Sequence, residues 1–357
     1  MSLHQSGPDT ESTANSAPDP DSGVALAPAT FPPPVRRHRY RWLRLTLWSL
    51  AAVALVLSGL GVYWSRLPAL IEVPAYTSKL TGDSTTELPP GAATTAAIIG
   101  VAESLLTKPG GYLRNDIAPP SVLLDNVPNW EFGVLTELRD VVRALRDDFS
   151  RAQTQSGEDR DLMQADAQFH FDSQHWILPA TENEYEAGLA ALRRYLKRLV
   201  AGNASFYARA DNLNFYFARV EKRLGSFSQR LSESVRERML RELIFQDESQ
   251  TPAASNRTPW LEIDDVFFEA RGYIWALVHV LRGIELDFQP VLEGKNAALK
   301  LRRIIKKLES TQQTLWSPMI LNSTGFGMLT NHSLVIASYI SRANAAVIDL
   351  RRLLSEG

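Results

Sequence analysis

Four carboxylates that could do acid–base chemistry lie close together in one segment: Glu262, Asp264, Asp265 and Glu269. Paired carboxylates serve as general acid and base, or bind a metal ion. The alternative is structural, because acidic side chains in the first turn of a helix stabilise its macrodipole. A carboxylate-bridged di-iron site would need Glu-x-x-His on two helices, and the chain has no Glu-x-x-His. Asp264, Asp265 and Glu269 are therefore a candidate acidic site without a metal.

Other catalytic chemistry has less support in the sequence. The stretch "FHFDSQHW" contains His170, Asp172 and His175, and a metal ion needs three or four converging ligands. We expect an aromatic loop packed on the protein there, with a metal site as the alternative. The chain has no cysteine and no G-x-S-x-G, and it has no spacing typical of a Ser-His-Asp triad. The sequence predicts no catalytic residue, no metal and no cofactor.

One long connection, "WSPMILNSTGFGMLTNHS", is the strongest candidate for binding. It has 18 residues, whereas connections between bundle helices have roughly 2–8. Long ordered loops often carry binding residues. The residues predicted to contact a ligand or partner are Trp316, Met319, Phe326 and Asn331. The alternative is that they pack on the protein. A second loop of this kind is "GGYLRNDIAPP", residues 110–120.

The segment 295–307 is strongly basic, with six lysines and arginines before the first acidic residue, Glu309. A basic helix can lie on anionic lipid. The alternative is a solvated face that pairs with acidic neighbours. Over the whole chain, 38 basic residues nearly balance 40 acidic ones. This balance argues against a nucleic-acid-binding protein.

The elements that must position these residues are helices. Apolar residues recur at alternating spacings of four and three in six segments between residues 135 and 354. One such series is Phe206, Ala210, Leu213, Phe217, Val220, Leu224, Phe227 and Leu231. A mean spacing of about 3.5 keeps such a series facing a neighbouring helix. Thr181 with Glu184 matches a capping box, which marks a helix start. The predicted fold is all-α, an elongated antiparallel helix bundle.

A long apolar segment precedes the predicted bundle. Residues 45–65 contain no charged side chain and span about 30 Å as a helix, the thickness of a bilayer core. Five arginines precede this segment, and only Arg66 follows closely, so the positive-inside rule places the N-terminus in the cytoplasm. The alternative is a cleaved signal peptide, whose apolar core has about 7–15 residues near the N-terminus. The length favours a retained transmembrane helix.

Composition divides the chain into four parts. Residues 1–35, rich in Pro, Ser, Ala, Thr and Asp, are predicted to form a disordered cytoplasmic tail. Residues 36–66 are predicted to form the transmembrane anchor with its basic flank. Residues 67–91, which contain four prolines, are predicted to form a juxtamembrane linker. Residues 92–357 are predicted to form a periplasmic helical bundle domain, with a subdivision near 246–258 left open.

Several stretches resemble a bacterial envelope family known as domain of unknown function 2333. They are "GGYLRNDIAPPSVLLDNVPNWEFGVL", "FYARADNLN", "TPWLEIDDVFFEARG" and "LWSPMILNSTGFGMLTNHSLVIASYISRANAAVIDLR". The resemblance covers nearly all of the chain after the linker. It implies a Gram-negative, single-pass inner-membrane protein with no assigned activity, and it carries over no catalytic residue.

These patterns predict a membrane-anchored helical scaffold or interaction protein of the cell envelope. Its expected partners are the lipid bilayer and an envelope protein. The alternative is an enzyme acting on the cell wall, because lysozyme-like helical folds need only one or two carboxylates. A deep cleft holding Asp264, Asp265 or Glu269 would favour the enzyme, and a cleft-free bundle would favour the scaffold.

Overall fold

The computed structural model describes residues 37–82, 88–152, 157–244, 260–312 and 332–356. Within these ranges the chain forms eleven α-helices and no strand. The helices are α1 (Arg37–Trp64), α2 (Val73–Thr81), α3 (Ala92–Thr107), α4 (Asn126–Ala144), α5 (Arg160–Phe169), α6 (Thr181–Val200), α7 (Ala210–Ile244), α8 (Trp260–Asp287), α9 (Gln289–Gly294), α10 (Ala298–Glu309) and α11 (His332–Glu356). The predicted all-α bundle behind one N-terminal apolar helix is confirmed.

The core consists largely of the apolar series that the sequence predicts. In α7, for example, Leu224 is fully buried. Helices α7 and α11 run antiparallel, because Asn344 lies beside Gly225 and Arg351 donates a hydrogen bond to Asn214 at 3.0 Å. Burying such a series on both partners stabilises the pair by roughly 1.5–3 kcal/mol per large side chain.

Helices α4 and α8 approach so closely that no side chain fits between them. A Cβ added to Gly133 would lie 1.9 Å from the carbonyl oxygen of Glu269, and one added to Gly272 would lie 1.9 Å from that of Trp130. Only glycine allows this backbone contact. The contact brings the rings of Trp130 and Trp275 to a centroid distance of 5.2 Å.

The segment 67–91, predicted as a juxtamembrane linker, is partly built into the bundle. It contains α2, which packs against α3 and buries Val73 and Thr77. Just before α2, the backbone N–H of Ile71 donates to Nε2 of His279 at 2.8 Å. Residues 71–81 are therefore packed structure rather than a free connection.

Contacts divide the chain within α1 into two units, Met1–Ala52 and Val53–Gly357. The second unit contains the end of α1 and all of α2–α11. The predicted tail, residues 1–35, lies outside the described residues, as do residues 246–258, near which the sequence leaves a subdivision open.

Candidate functional site

Two loops of the second unit surround the end of α1. They are loop A, residues 110–124, and loop B, residues 171–180. The Trp64 ring lies so close to loop A that a Cβ added to Gly110 would be 2.8 Å from it. Trp64 also borders a cavity of about 420 Å³ to which both loops contribute. We call this surface, formed by Trp64 and the two loops, the Trp64 face.

Buried polar groups join loop A to loop B. The hydroxyl of Tyr112 donates to the carbonyl oxygen of Ser173 at 2.9 Å, and the side-chain amide of Asn115 donates to that of His175 at 3.1 Å. Tyr112, Asn115 and Ser173 are all buried. Leaving one such buried group unpaired costs about 1–3 kcal/mol, so these bonds fix the two loops relative to each other.

Loop B is also tied to the start of α6. Thr181, predicted to open a capping box with Glu184, is the first residue of α6, and the N-cap residue before it is Ala180. Its hydroxyl lies against loop B, where it donates to the carbonyl oxygens of Asp172 at 2.8 Å and His175 at 2.7 Å. The capping-box prediction is wrong because Ala180, rather than Thr181, occupies the N-cap position of α6.

A buried ion pair holds the start of loop A. Nζ of Lys108 lies 2.5 Å from the carboxylate of Glu131, and both side chains are fully buried. Lys108 also donates to the carbonyl of Gly111, and Glu131 accepts from the N–H of Leu113 at 2.9 Å. Burial raises the pKa of Glu131 to about 7, against the lowering effect of Lys108. Removing one partner of such a pair costs about 3–5 kcal/mol, so the pair fixes this turn beneath Trp64.

A larger cavity, of about 930 Å³, lies between the end of α1, loop A and α8. Its walls are mainly apolar and include Trp130, Phe268 and Trp275, and we call it the tryptophan cavity. Charged residues of both signs also line it: Arg66, Arg271, Asp125 and Glu309. A volume of roughly 300–1,000 Å³ with mostly apolar walls is typical of small-molecule sites. This cavity therefore has the size and the lining to hold an apolar group.

A neutral histidine connects the tryptophan cavity to the segment that follows α1. His279 is buried, and its Nδ1 lies 2.6 Å from the carbonyl oxygen of Trp275. Since Nε2 accepts from Ile71, Nδ1 carries the ring proton. Burial, together with the positive charge of Arg282, lowers the pKa of His279 to about 4. Arg282 also donates to the carbonyl of Ile71 at 3.2 Å, so both backbone polar groups of Ile71 are bound by α8.

Two of the predicted acidic residues have partners that give them structural roles. The carboxylate of Glu269 forms an ion pair with Arg230 at 2.6 Å, which joins α8 to α7. Asp265 accepts a hydrogen bond from the side-chain amide of Asn129 at 2.5 Å, which joins α8 to α4.

Asp264 has the more unusual environment. Partial burial and the neighbouring carboxylates of Asp125 and Asp265 raise the pKa of Asp264 to about 6. None of Asp264, Asp265 and Glu269 lines either of the two cavities.

In the part of the chain that the structure describes, no three His, Asp or Glu side chains are arranged to hold a metal ion. His170 and His175 both lie close to backbone carbonyls, those of Asp166 and Pro179.

Two further predictions concern the C-terminal part of the chain. The predicted contact residues lie outside the described residues: Trp316, Met319, Phe326 and Asn331. Gln312, the last described residue before them, lines the tryptophan cavity. In the basic segment 295–307, Arg302 pairs with Glu285 at 2.5 Å and Lys300 lies 4.0 Å from Asp349.

One family matches the chain, over residues 36–357. It is described as "Uncharacterized protein conserved in bacteria (DUF2333)". The chain belongs to this family. No curated protein and no solved structure matches it. The match takes in α1 as well as the bundle, so the apolar helix and both loops of the Trp64 face lie within the region shared by DUF2333 proteins.

Sequence reasoning found part of this DUF2333 site. It identified "GGYLRNDIAPP" and "FHFDSQHW" as loops. It did not predict that the two loops join around Trp64. It also missed the buried pair of Lys108 with Glu131 and the packing of Trp130 on Trp275. The one available signal was Lys108 itself, a charge between an apolar helix and two glycines. Its partner lies 23 residues further along the chain and off any motif.

Proposed function

We propose that this DUF2333 protein is a membrane-anchored helical scaffold of the bacterial cell envelope that holds a partner protein at the inner membrane. The observation that carries this proposal is the helix Tyr40–Trp64. Among the described helices, it is the one long and apolar enough to cross a bilayer. Its apolar side chains are exposed, as Leu55 is to 74 %. An uncovered apolar helix of this length suits the bilayer core.

The packing of α1 supports a retained anchor over a cleaved signal sequence. Near its end, Gly61 lies beside Leu124 and Pro120 of loop A, and Trp64 packs on Gly110. These contacts make the last turns of α1 part of the folded second unit. Removing the helix would uncover apolar surface of loop A.

The distribution of arginines supports the orientation. Five arginines precede the apolar segment and Arg66 follows it. Positive residues stay in the cytoplasm during insertion. The proposed topology therefore has a cytoplasmic N-terminus and a periplasmic bundle.

The cell-wall enzyme has one feature in its favour, the pKa of Asp264 at about 6, which suits a general acid. The structural roles of its neighbours weigh against it. Glu269 is engaged by Arg230 and Asp265 by Asn129. Asp264 borders neither cavity, whereas a glycosidase needs two carboxylates that flank the scissile bond. We therefore prefer the scaffold.

Crosslinking in native membranes followed by pull-down of the full-length protein tests the proposal. We expect a discrete protein adduct, and we expect Phe326→Ala to remove it without loss of stability. Leu299→Ala, which changes an exposed side chain of α10, is the matched control and should leave the adduct intact.

Two results would count against the proposal. Loss of roughly 3–5 kcal/mol of stability in Phe326→Ala, the cost of truncating a core phenylalanine, with the adduct retained, would remove Phe326 as a contact residue. Hydrolysis of peptidoglycan that Asp264→Asn abolishes, with no protein adduct, would replace the scaffold with the enzyme.

A further inference from the structure

The Trp64 face exposes six large apolar side chains. They are Ile117, Val122 and Leu123 of loop A and Trp176, Ile177 and Leu178 of loop B. Leu178 is 89 % exposed and Leu123 74 %. Large contiguous apolar patches are rare on soluble proteins and mark surfaces that contact another apolar phase or partner.

This exposure is a fixed feature of the fold. The bases of the loops are held by buried polar groups, since Tyr112 donates to Ser173 and Asn115 donates to both His175 and Glu182. Polar groups are thus buried and bonded while apolar tips point outward. A protein folding only against water favours the reverse arrangement. The tips therefore present apolar surface that an apolar environment outside the bundle would cover.

The loop tips are also nearly uncharged. Across residues 116–123 and 174–180, Asp116 is the only lysine, arginine, aspartate or glutamate. Both loops lie around the end of the helix that the proposed function places in the bilayer. Trp64 and Trp176 border the same cavity, and tryptophan is favoured at the membrane–water interface.

We propose, on the basis of the proposed anchoring by α1, that loops A and B insert their apolar tips into the interface of the bilayer that α1 crosses. The bundle then has a second membrane contact beside its anchor. This contact holds the bundle against the lipid at a fixed height, as interfacial segments of peripheral proteins do. The occupant of the patch is lipid rather than protein, because Ile117 and Trp176 border the same cavity as Trp64 at the end of the membrane helix.

The absence of native cysteine allows a direct test by single-site labelling. Leu178→Cys and Leu123→Cys place a fluorophore at each tip, and both side chains are exposed, so folding should be unchanged. The control is Leu286→Cys on α8, which is also exposed. Leu286 lies near the start of α3, because its neighbour Asp287 accepts a hydrogen bond from the N–H of Thr94. The Trp64 face lies near the other end of α3, because Gly110, which contacts Trp64, follows that end. Since α3 has 16 residues and is about 24 Å long, the control lies well away from the Trp64 face.

Full-length labelled protein is reconstituted into vesicles of phosphatidylethanolamine and phosphatidylglycerol that contain a nitroxide-labelled lipid. We expect the fluorophores at positions 178 and 123 to be quenched at least about twofold more than the one at position 286, as for segments buried in the headgroup boundary. Equal quenching at all three positions in vesicle-bound protein would overturn the insertion of the loops and leave the anchor intact. Failure of the protein to float with vesicles would contradict the proposed anchoring, and with it this inference.

Discussion

The α7–α11 pair and the Trp64 face arrange their side chains in opposite ways. Between α7 and α11 the apolar series is buried, and Arg351 bonds Glu221 at the outer side. At the Trp64 face, buried polar atoms such as the Tyr112 hydroxyl bond the two loops together, and large apolar side chains such as Leu178 are exposed. The first arrangement covers its apolar surface within the bundle, whereas the second leaves apolar surface uncovered. In the proposed membrane contact the two regions face different solvents, water around α7 and α11 and lipid at the Trp64 face.

The largest effect is expected from a charge placed in the α7 series. Leu213→Asp or Leu224→Asp should lower the free energy of unfolding by several kcal/mol, because an unpaired carboxylate would be buried in the bundle. Denaturant unfolding of the full chain in detergent measures this. Gln229→Asp, on the exposed side of α7, should cost well under about 1 kcal/mol. Equal stability of all three variants would show that the α7 series is not core.

The same glycine substitution should have opposite effects on stability in the α4–α8 contact and in α7. Gly133→Ala forces α4 and α8 apart beneath the tryptophan cavity, and we expect a loss of about 3 kcal/mol, the upper end for overpacking. In α7, a Cβ on Gly225 would lie 3.5 Å from the side chain of Asn344, an ordinary contact. Gly225→Ala should therefore stabilise the protein by about 0.5–1 kcal/mol through helix propensity. A neutral Gly133→Ala in the same unfolding measurement would contradict the close contact of α4 and α8.

A buried carboxylate between α4 and α7 should make stability depend on pH. Glu137 is fully buried and accepts from the hydroxyl of Tyr216 at 2.5 Å, and burial raises its pKa from 4.5 to about 8. Between these values the folded state binds a proton that the unfolded state has lost, so stability falls as pH rises. The slope for one group is at most about 1.4 kcal/mol per pH unit.

Glu137→Gln removes this dependence. The free energy of unfolding of Glu137→Gln, relative to that of the parent protein, should increase from pH 5 to pH 8. Glu186→Gln, at an exposed position of α6, should follow the parent across the same range. A constant difference between Glu137→Gln and the parent would mean that Glu137 is ionised in the folded protein.

The smallest effect on stability is expected at the Trp64 face. Leu178→Asp should change the unfolding free energy in detergent by less than about 0.5 kcal/mol, as for exposed positions. This contrasts with the same substitution at Leu224. A loss of several kcal/mol at position 178 would show that Leu178 packs on the bundle and would remove the contrast between the two regions.

The sequence predicts the α7–α11 region well and the Trp64 face poorly, for a physical reason. Burial of Leu213 or Leu224 follows from spacing within one helix, since residues three and four apart share a face. The position of Asn115 depends on a hydrogen bond to His175, 60 residues away. The turn before Asn115 depends on a hydrogen bond from Leu113 to Glu131. No local pattern encodes such pairings.

Two other differences have similar causes. Thr181 matches a capping signal, but its hydroxyl bonds loop B because α6 starts beside that loop. The prolines of 67–91 favour a linker, but Val73 is fully buried and α2 packs against α3. In both cases tertiary contacts override the local preference.

The central claim is that α1 remains as a membrane anchor and holds the bundle in the periplasm. Paired reporter fusions to the full chain test it most directly. A reporter active only in the periplasm should work when fused after Gly357, and one active only in the cytoplasm should work at the N-terminus, with the intact protein in the membrane fraction. Reversed reporter activities, or a shortened soluble product, would contradict the account.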